Sequence, residues 1–126
     1  MTRMEKTKML RADTVTHYNC CQSVVVPFAK EMGLTEEQAF SLGTHFAAGL
    51  RQGSVCGAMS GALMVLGALG YDENTANALI RKFREDHGAT DCATLLKTSR
   101  ERGEVKKVHC DGLVFDVIAA LEEIVK

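Results

Sequence analysis

From Gln52 to Tyr71 no side chain carries a charge, and the run is bounded by Arg51 on one side and Asp72 on the other. Such a stretch suits a membrane span, the buried centre of a helical bundle, or the wall of a reactive site. Gly53, Gly57, Gly61, Gly67 and Gly70 dilute its hydrophobicity, and no second segment of the chain could accompany it in a bilayer. A helix that is apolar all round is expected instead at the middle of a bundle, where neighbours cover every face. Gly53, Gly57 and Gly61 recur every four residues and form a strip on which another helix backbone, from the same chain or from a homodimer partner, can lie close.

Helical periodicity dominates the remaining sequence. Tyr18, Cys21, Val25, Phe28 and Met32 make one apolar stripe, on a helix that Pro27 kinks and Gly33 ends. Thr35 and Gln38 form a capping box ahead of a second stripe, Ala39, Leu42, Phe46 and Leu50. A fourth helix runs from Asp72 to Gly88, burying Ala76, Leu79, Ile80 and Phe83, and a short fifth begins near Asp91. The last helix carries Val114, Val117, Ile118, Leu121 and Ile124 on one face. The expectation is a single all-α domain over 1–126: a compact bundle of about five to six helices around a central glycine-rich apolar helix, with 1–13 as a polar N-terminal extension.

Fifteen Lys and Arg against sixteen Asp and Glu leave a net charge of -1, too little to draw the chain to nucleic acid or to an anionic membrane surface. The charged start, "MTRMEKTKMLRADT", lacks the apolar core of a secretory signal, so a cytoplasmic setting is expected. Cys20, Cys21, Cys56, Cys92 and Cys110 are an odd number of cysteines, which argues against a permanent disulfide framework.

Three of these cysteines fall near expected helix starts: Cys56 after Ser54, Cys92 after Asp91, and Cys110 after the polar loop. Unpaired N–H groups and the positive end of the helix dipole favour a thiolate there. Lys106, Lys107 and His109 would add to that effect at Cys110, and Arg51 at Cys56. His17 stands near Cys20 and Cys21, while His45 and His87 suit packing or capping. No C-x-x-C pair or ferredoxin run is present, so a metal site would have to be assembled by the fold. Three readings remain open: thiol redox chemistry, a metal or cluster site, and cysteines that only pack.

The pieces "NCCQSVVVPF", "CGAMSGALMVLG", "DC" and "HCDGLV" resemble, in order, the cysteine pattern of the C_GCAxxG_C_C family of redox-active proteins. The resemblance covers nearly the whole chain beyond the N-terminal extension. It aligns Cys20, Cys56, Cys92 and Cys110 with the family's four cysteines and leaves Cys21 as an extra thiol. It implies a redox role, read here as thiol/disulfide redox or electron transfer through these four residues, with Cys56, at its expected helix N-terminus, as the activated thiol forming a reversible disulfide with Cys20, Cys92 or Cys110. The chain would then act as a thiol-dependent oxidoreductase or as an accessory to one, with a redox partner protein. The alternatives are that the same four cysteines hold an iron–sulfur cluster or another thiophilic metal, or that the bundle is non-catalytic and its cysteines structural.

Overall fold

Three helices begin with the same local device. The side chains of Thr2, Asn19 and Thr35 each accept a hydrogen bond from the backbone N–H three residues on, and Glu5, Gln22 and Gln38 reach back to the cap N–H. These capping boxes satisfy otherwise orphaned donors, and they open α1 (Arg3–Ala12), α2 (Cys20–Val25) and α3 (Glu36–Leu42). The computed structural model describes residues 1–125. After α3 come α4 (Gly57–Ala68), α5 (Glu73–His87), α6 (Cys92–Glu101) and α7 (Lys106–Ile124). The fold is all-α, with one isolated antiparallel bridge, Val55 to Asp91, among the described residues.

Several departures from the periodicity reading have clear causes. The first long helix is cut at Val25, where Pro27 imposes a 3-10 turn over Val26–Phe28. The second stops at Gly43, leaving Leu42 58% exposed, so its expected continuation to Leu50 is not helical. Ala48, Gly49, Leu50 and Arg51 instead take positive φ in succession, a conformation costly for residues with a Cβ. Helix α4 therefore begins only at Gly57. The polar N-terminal stretch is helical over Arg3–Ala12, buries Thr7 and Leu10, and docks against α7. It brings the count to seven α-helices among the described residues.

The core is built where α2, α4 and α7 meet. Val24, Val25, Phe28, Ala58, Ala62, Val65, Leu66, Val114, Ile118 and Leu121 are at most 1% exposed. The apolar stretch is buried by its own chain at residues 56–59, Gly61, Ala62, Val65 and Leu66, while Gly67, Ala68, Gly70 and Tyr71 are exposed, and no helix among the described residues is long and apolar enough to cross a membrane.

Gly57 and Gly61 make the α2–α4 contact possible. A Cβ on Gly57 would meet the Phe46 carbonyl oxygen at 2.7 Å and the Cys20 Cβ at 3.3 Å; one on Gly61 would meet the Cys21 carbonyl at 3.0 Å and the Val24 Cβ at 3.1 Å. Gly53, the expected third member of the strip, lies in the turn before the helix. Gly57→Ala should lower the unfolding free energy by about 1–3 kcal/mol through overpacking. Gly67→Ala, with nothing within 4 Å of the added carbon, should raise it by about 1 kcal/mol through helix propensity. Urea denaturation of both variants checks the contrast, and equal effects would contradict the packing assignment.

Candidate functional site

Each of the four aligned cysteines is placed by backbone architecture. Cys20 is the first residue of α2, behind a cap that is itself anchored: Asn19 Nδ2 donates to the Gly43 carbonyl at 3.0 Å, and Gln22 Nε2 donates to the Phe40 carbonyl at 2.9 Å. Cys56 is the N-cap of α4 and Cys92 the first residue of α6. The segments entering those two helices are paired, with the Cys56 N–H donating to the Thr90 carbonyl at 2.9 Å and the Cys92 N–H to the Ser54 carbonyl at 2.7 Å. The strained turn before α4 closes against this pair, since a Cβ on Gly49 would lie 2.7 Å from the Cys92 Cβ. Cys110 is the fifth residue of α7 rather than part of its first turn.

All four line one cavity of about 180 Å³, together with Arg11, His17, Lys106 and His109. Cys21 is fully buried in the core and does not line this cavity, as its place on the apolar stripe predicts. Cys110 also lines a second cavity of about 230 Å³, between α1 and the start of α7, which shares Arg11, His17 and Lys106 with the first. All five cysteines are free thiols.

Their ionisation divides them. Cys20 and Cys110 line the same cavity, and a hydrogen bond from the Cys20 thiol to a Cys110 thiolate favours one thiolate shared with one thiol. Cys110 is lowered to about 7, first by that bond and then by Arg11 and Lys106, against the opposing effect of burial. Cys20 is raised, first by the same bond and then by burial. Burial likewise raises Cys56, although the N–H groups of Ala58 and Met59 favour its thiolate. Cys92 is raised by burial and by Cys110, with Lys106 opposing. Burial pushes Cys21 up to about 12. The helix starts of Cys56 and Cys92 therefore do not produce the most acidic thiol.

Arg11 is the residue the sequence reading missed. Its Nε lies 2.6 Å from Asp111 Oδ1 and an Nη donates to the Tyr18 carbonyl at 2.9 Å. The available signal was Thr2-x-x-Glu5, a capping box that announces α1. Of the cations expected near Cys110, Lys106 lines both cavities, while Lys107 pairs with Asp111 at 2.9 Å. Arg51 meets His45 Nδ1 at 2.9 Å rather than serving Cys56. His109, expected to support the Cys110 thiolate, has its side chain 7% exposed, with Nε2 lacking a partner. His87 packs on Phe83 at a centroid distance of 4.8 Å. His17 lines both cavities. Among the described residues, no three His, Cys, Asp or Glu side chains are grouped to hold a metal ion.

A family model described as "Putative redox-active protein (C_GCAxxG_C_C)" matches residues 18–124. No curated protein and no solved structure matches the chain.

The thiols should react in a set order. Alkylation with iodoacetamide across a pH series, mapped by mass spectrometry, should show Cys110 half-maximal near pH 7 and Cys21 protected at that pH. Arg11→Gln should move the Cys110 midpoint upward, because a cation that favours the thiolate is lost. Preferential labelling of Cys56 at neutral pH would contradict this order.

Proposed function

The chain belongs to the C_GCAxxG_C_C family of redox-active proteins, and from that premise we propose that it is a dithiol–disulfide redox protein whose reacting pair is Cys110 and Cys20. The observation that carries this reading is that Cys20 and Cys110 share the wall of one cavity that also holds Arg11 and Lys106. A thiolate is the nucleophile in disulfide exchange, and a thiol with a pKa near ambient pH combines ionisation with reactivity.

The Cys110 thiolate attacks one sulfur of a substrate disulfide, forming a mixed disulfide and expelling the other half as a thiolate. Cys20 gives up its proton to solvent and attacks the Cys110 sulfur, forming the Cys20–Cys110 disulfide and releasing the second half. The substrate gains two electrons and the protein dithiol loses two; an external dithiol or a redox partner protein reverses the step. Cys92 and Cys56 line the same cavity, so further exchange passes the disulfide to them. The reading places the protein in a reducing cytoplasm, either as a thiol-dependent oxidoreductase or as an accessory to one.

A second reading rests on the same cavity. Four cysteines, one each from α2, α4, α6 and α7, are the donor set of an iron–sulfur cluster. No three such side chains are grouped to hold a metal ion among the described residues, so this reading requires the cysteine side chains to converge when a cluster binds. Anaerobic purification with iron and sulfide analysis separates the two readings.

Oxidation of the reduced protein with one equivalent of diamide, followed by thiol blocking and peptide mapping, should yield a Cys20–Cys110 crosslink that dithiothreitol removes. Cys110→Ser and Cys20→Ser should each abolish it, whereas Cys21→Ala should retain it. Scattered pairing, or an unchanged crosslink yield after Cys110→Ser, would exclude the pair.

A further inference from the structure

We infer that the disulfide exchanged at Cys110 is a small anionic one, carrying carboxylates, which enters through the cavity between α1 and the start of α7. The inference rests on the dithiol reading and adds the substrate class. This cavity measures about 230 Å³ and is lined by Cys110 but not by Cys56 or Cys92. It lies below the ~300 Å³ at which pockets for drug-sized ligands begin. Leu10 and Tyr18 give it an apolar wall, and its volume limits it to a small substrate.

The charges around it are unequal in number and in availability. Arg11, Lys106 and Lys107 line the cavity, and Asp13 is its one acidic lining residue. Asp13 Oδ1 already accepts the N–H groups of Val15 and Thr16 at 2.8 and 2.9 Å. Asp111, next to Cys110, is held by Arg11 at 2.6 Å and by Lys107 at 2.9 Å. Lys106 makes no ion pair among the described residues. The 19-residue helix α7 starts at Lys106, and its N-cap, Val105, offers no side-chain acceptor to the first-turn N–H groups. Both carboxylates are thus engaged, while the Lys106 ammonium lines the cavity without an ion pair and the α7 start, positively polarised, has no side-chain cap. A carboxylate on the substrate is attracted there, and an ammonium is repelled.

Attack by Cys110 on such a disulfide releases a carboxylate-bearing thiolate into the same cavity, and resolution by Cys20 releases the second. Two electrons pass from the protein dithiol to the substrate, as in the general exchange above.

The test is single-turnover oxidation of the reduced full-length chain by three small disulfides: 3,3′-dithiodipropionate, bis(2-hydroxyethyl) disulfide and cystamine. Each rate is divided by that of free 2-mercaptoethanol at the same pH, which removes intrinsic reactivity. The dianion should exceed the dication by at least about tenfold at low salt, the lower end of electrostatic steering, and the ratio should fall at 0.5 M salt (roughly 4 Å Debye length). Lys106→Gln should reduce the dianion-to-neutral ratio, a comparison in which any change in thiolate fraction cancels. If the Cys20–Cys110 disulfide forms but all three normalised rates agree, or cystamine leads, the anionic substrate class is overturned and the dithiol reading stands. If no Cys20–Cys110 disulfide forms with any of them, the dithiol reading itself fails and this inference with it.

Discussion

The backbones of α2 and α4 touch because Gly57 and Gly61 have no side chains to hold them apart. That contact does more than fill the core. It sets the starts of two helices side by side, with Cys20 the first residue of one and Cys56 the cap of the other. The Val55–Asp91 bridge then ties the start of α6 to the start of α4, which brings Cys92 to the same place. Only Cys110 arrives by a different route, one turn inside α7. Glycine thus weakens α4 as an isolated helix, at about 1 kcal/mol per interior residue, while permitting the packing that assembles the thiols.

The position of the most acidic thiol follows from a competition of magnitudes. A helix N-terminus favours an anion by about 0.3–1 kcal/mol at exposed sites, less than one pKa unit at about 1.4 kcal/mol per unit. Full burial can move a pKa by up to about 3–5 units in the other direction. Cys56, 4% exposed, is therefore governed by burial despite the N–H groups aimed at it. Cys110 escapes because its stabilisation comes from a neighbouring thiol that donates a hydrogen bond and from two cations. Dipole reasoning identifies where a thiolate is tolerated, but the cost of desolvation decides where it forms.

The legible parts of this fold are those set by short-range chemistry. The Thr35–Gln38 box, the Asp72 cap, the Gly88 stop and the Asp91 cap all have local signatures, and each marks a real helix end. Thr2-x-x-Glu5 and Asn19-x-x-Gln22 carry the same signature and mark α1 and the true start of α2. The turn from Ala48 to Arg51 was not legible, because three residues with side chains adopt positive φ against their own preference. Its apolar spacing fits a helix, and only tertiary contacts override that. The order of the cysteines along the chain was readable in the same way; which sulfurs face each other was not, since that depends on how α2 and α7 pack.

Residues 1–17 lie outside the span matched by the family model, yet they supply Leu10, Arg11 and His17 to the cavities around Cys110. The anchoring of α1 therefore bears on the chemistry. Its ion pairs, Arg3 with Glu122 and Glu31 and Lys6 with Glu36, are partly exposed, and such pairs contribute about 0–1 kcal/mol each. The firmer hold comes from Leu10, 5% exposed, and from Thr7, fully buried, whose hydroxyl donates to the Ser23 carbonyl at 3.3 Å. Arg11 follows Leu10 directly, its side chain 9% exposed against Asp111. Apolar docking of α1 thus positions a cation whose effect is electrostatic, and the acidity of Cys110 depends on a segment that contains none of the cysteines.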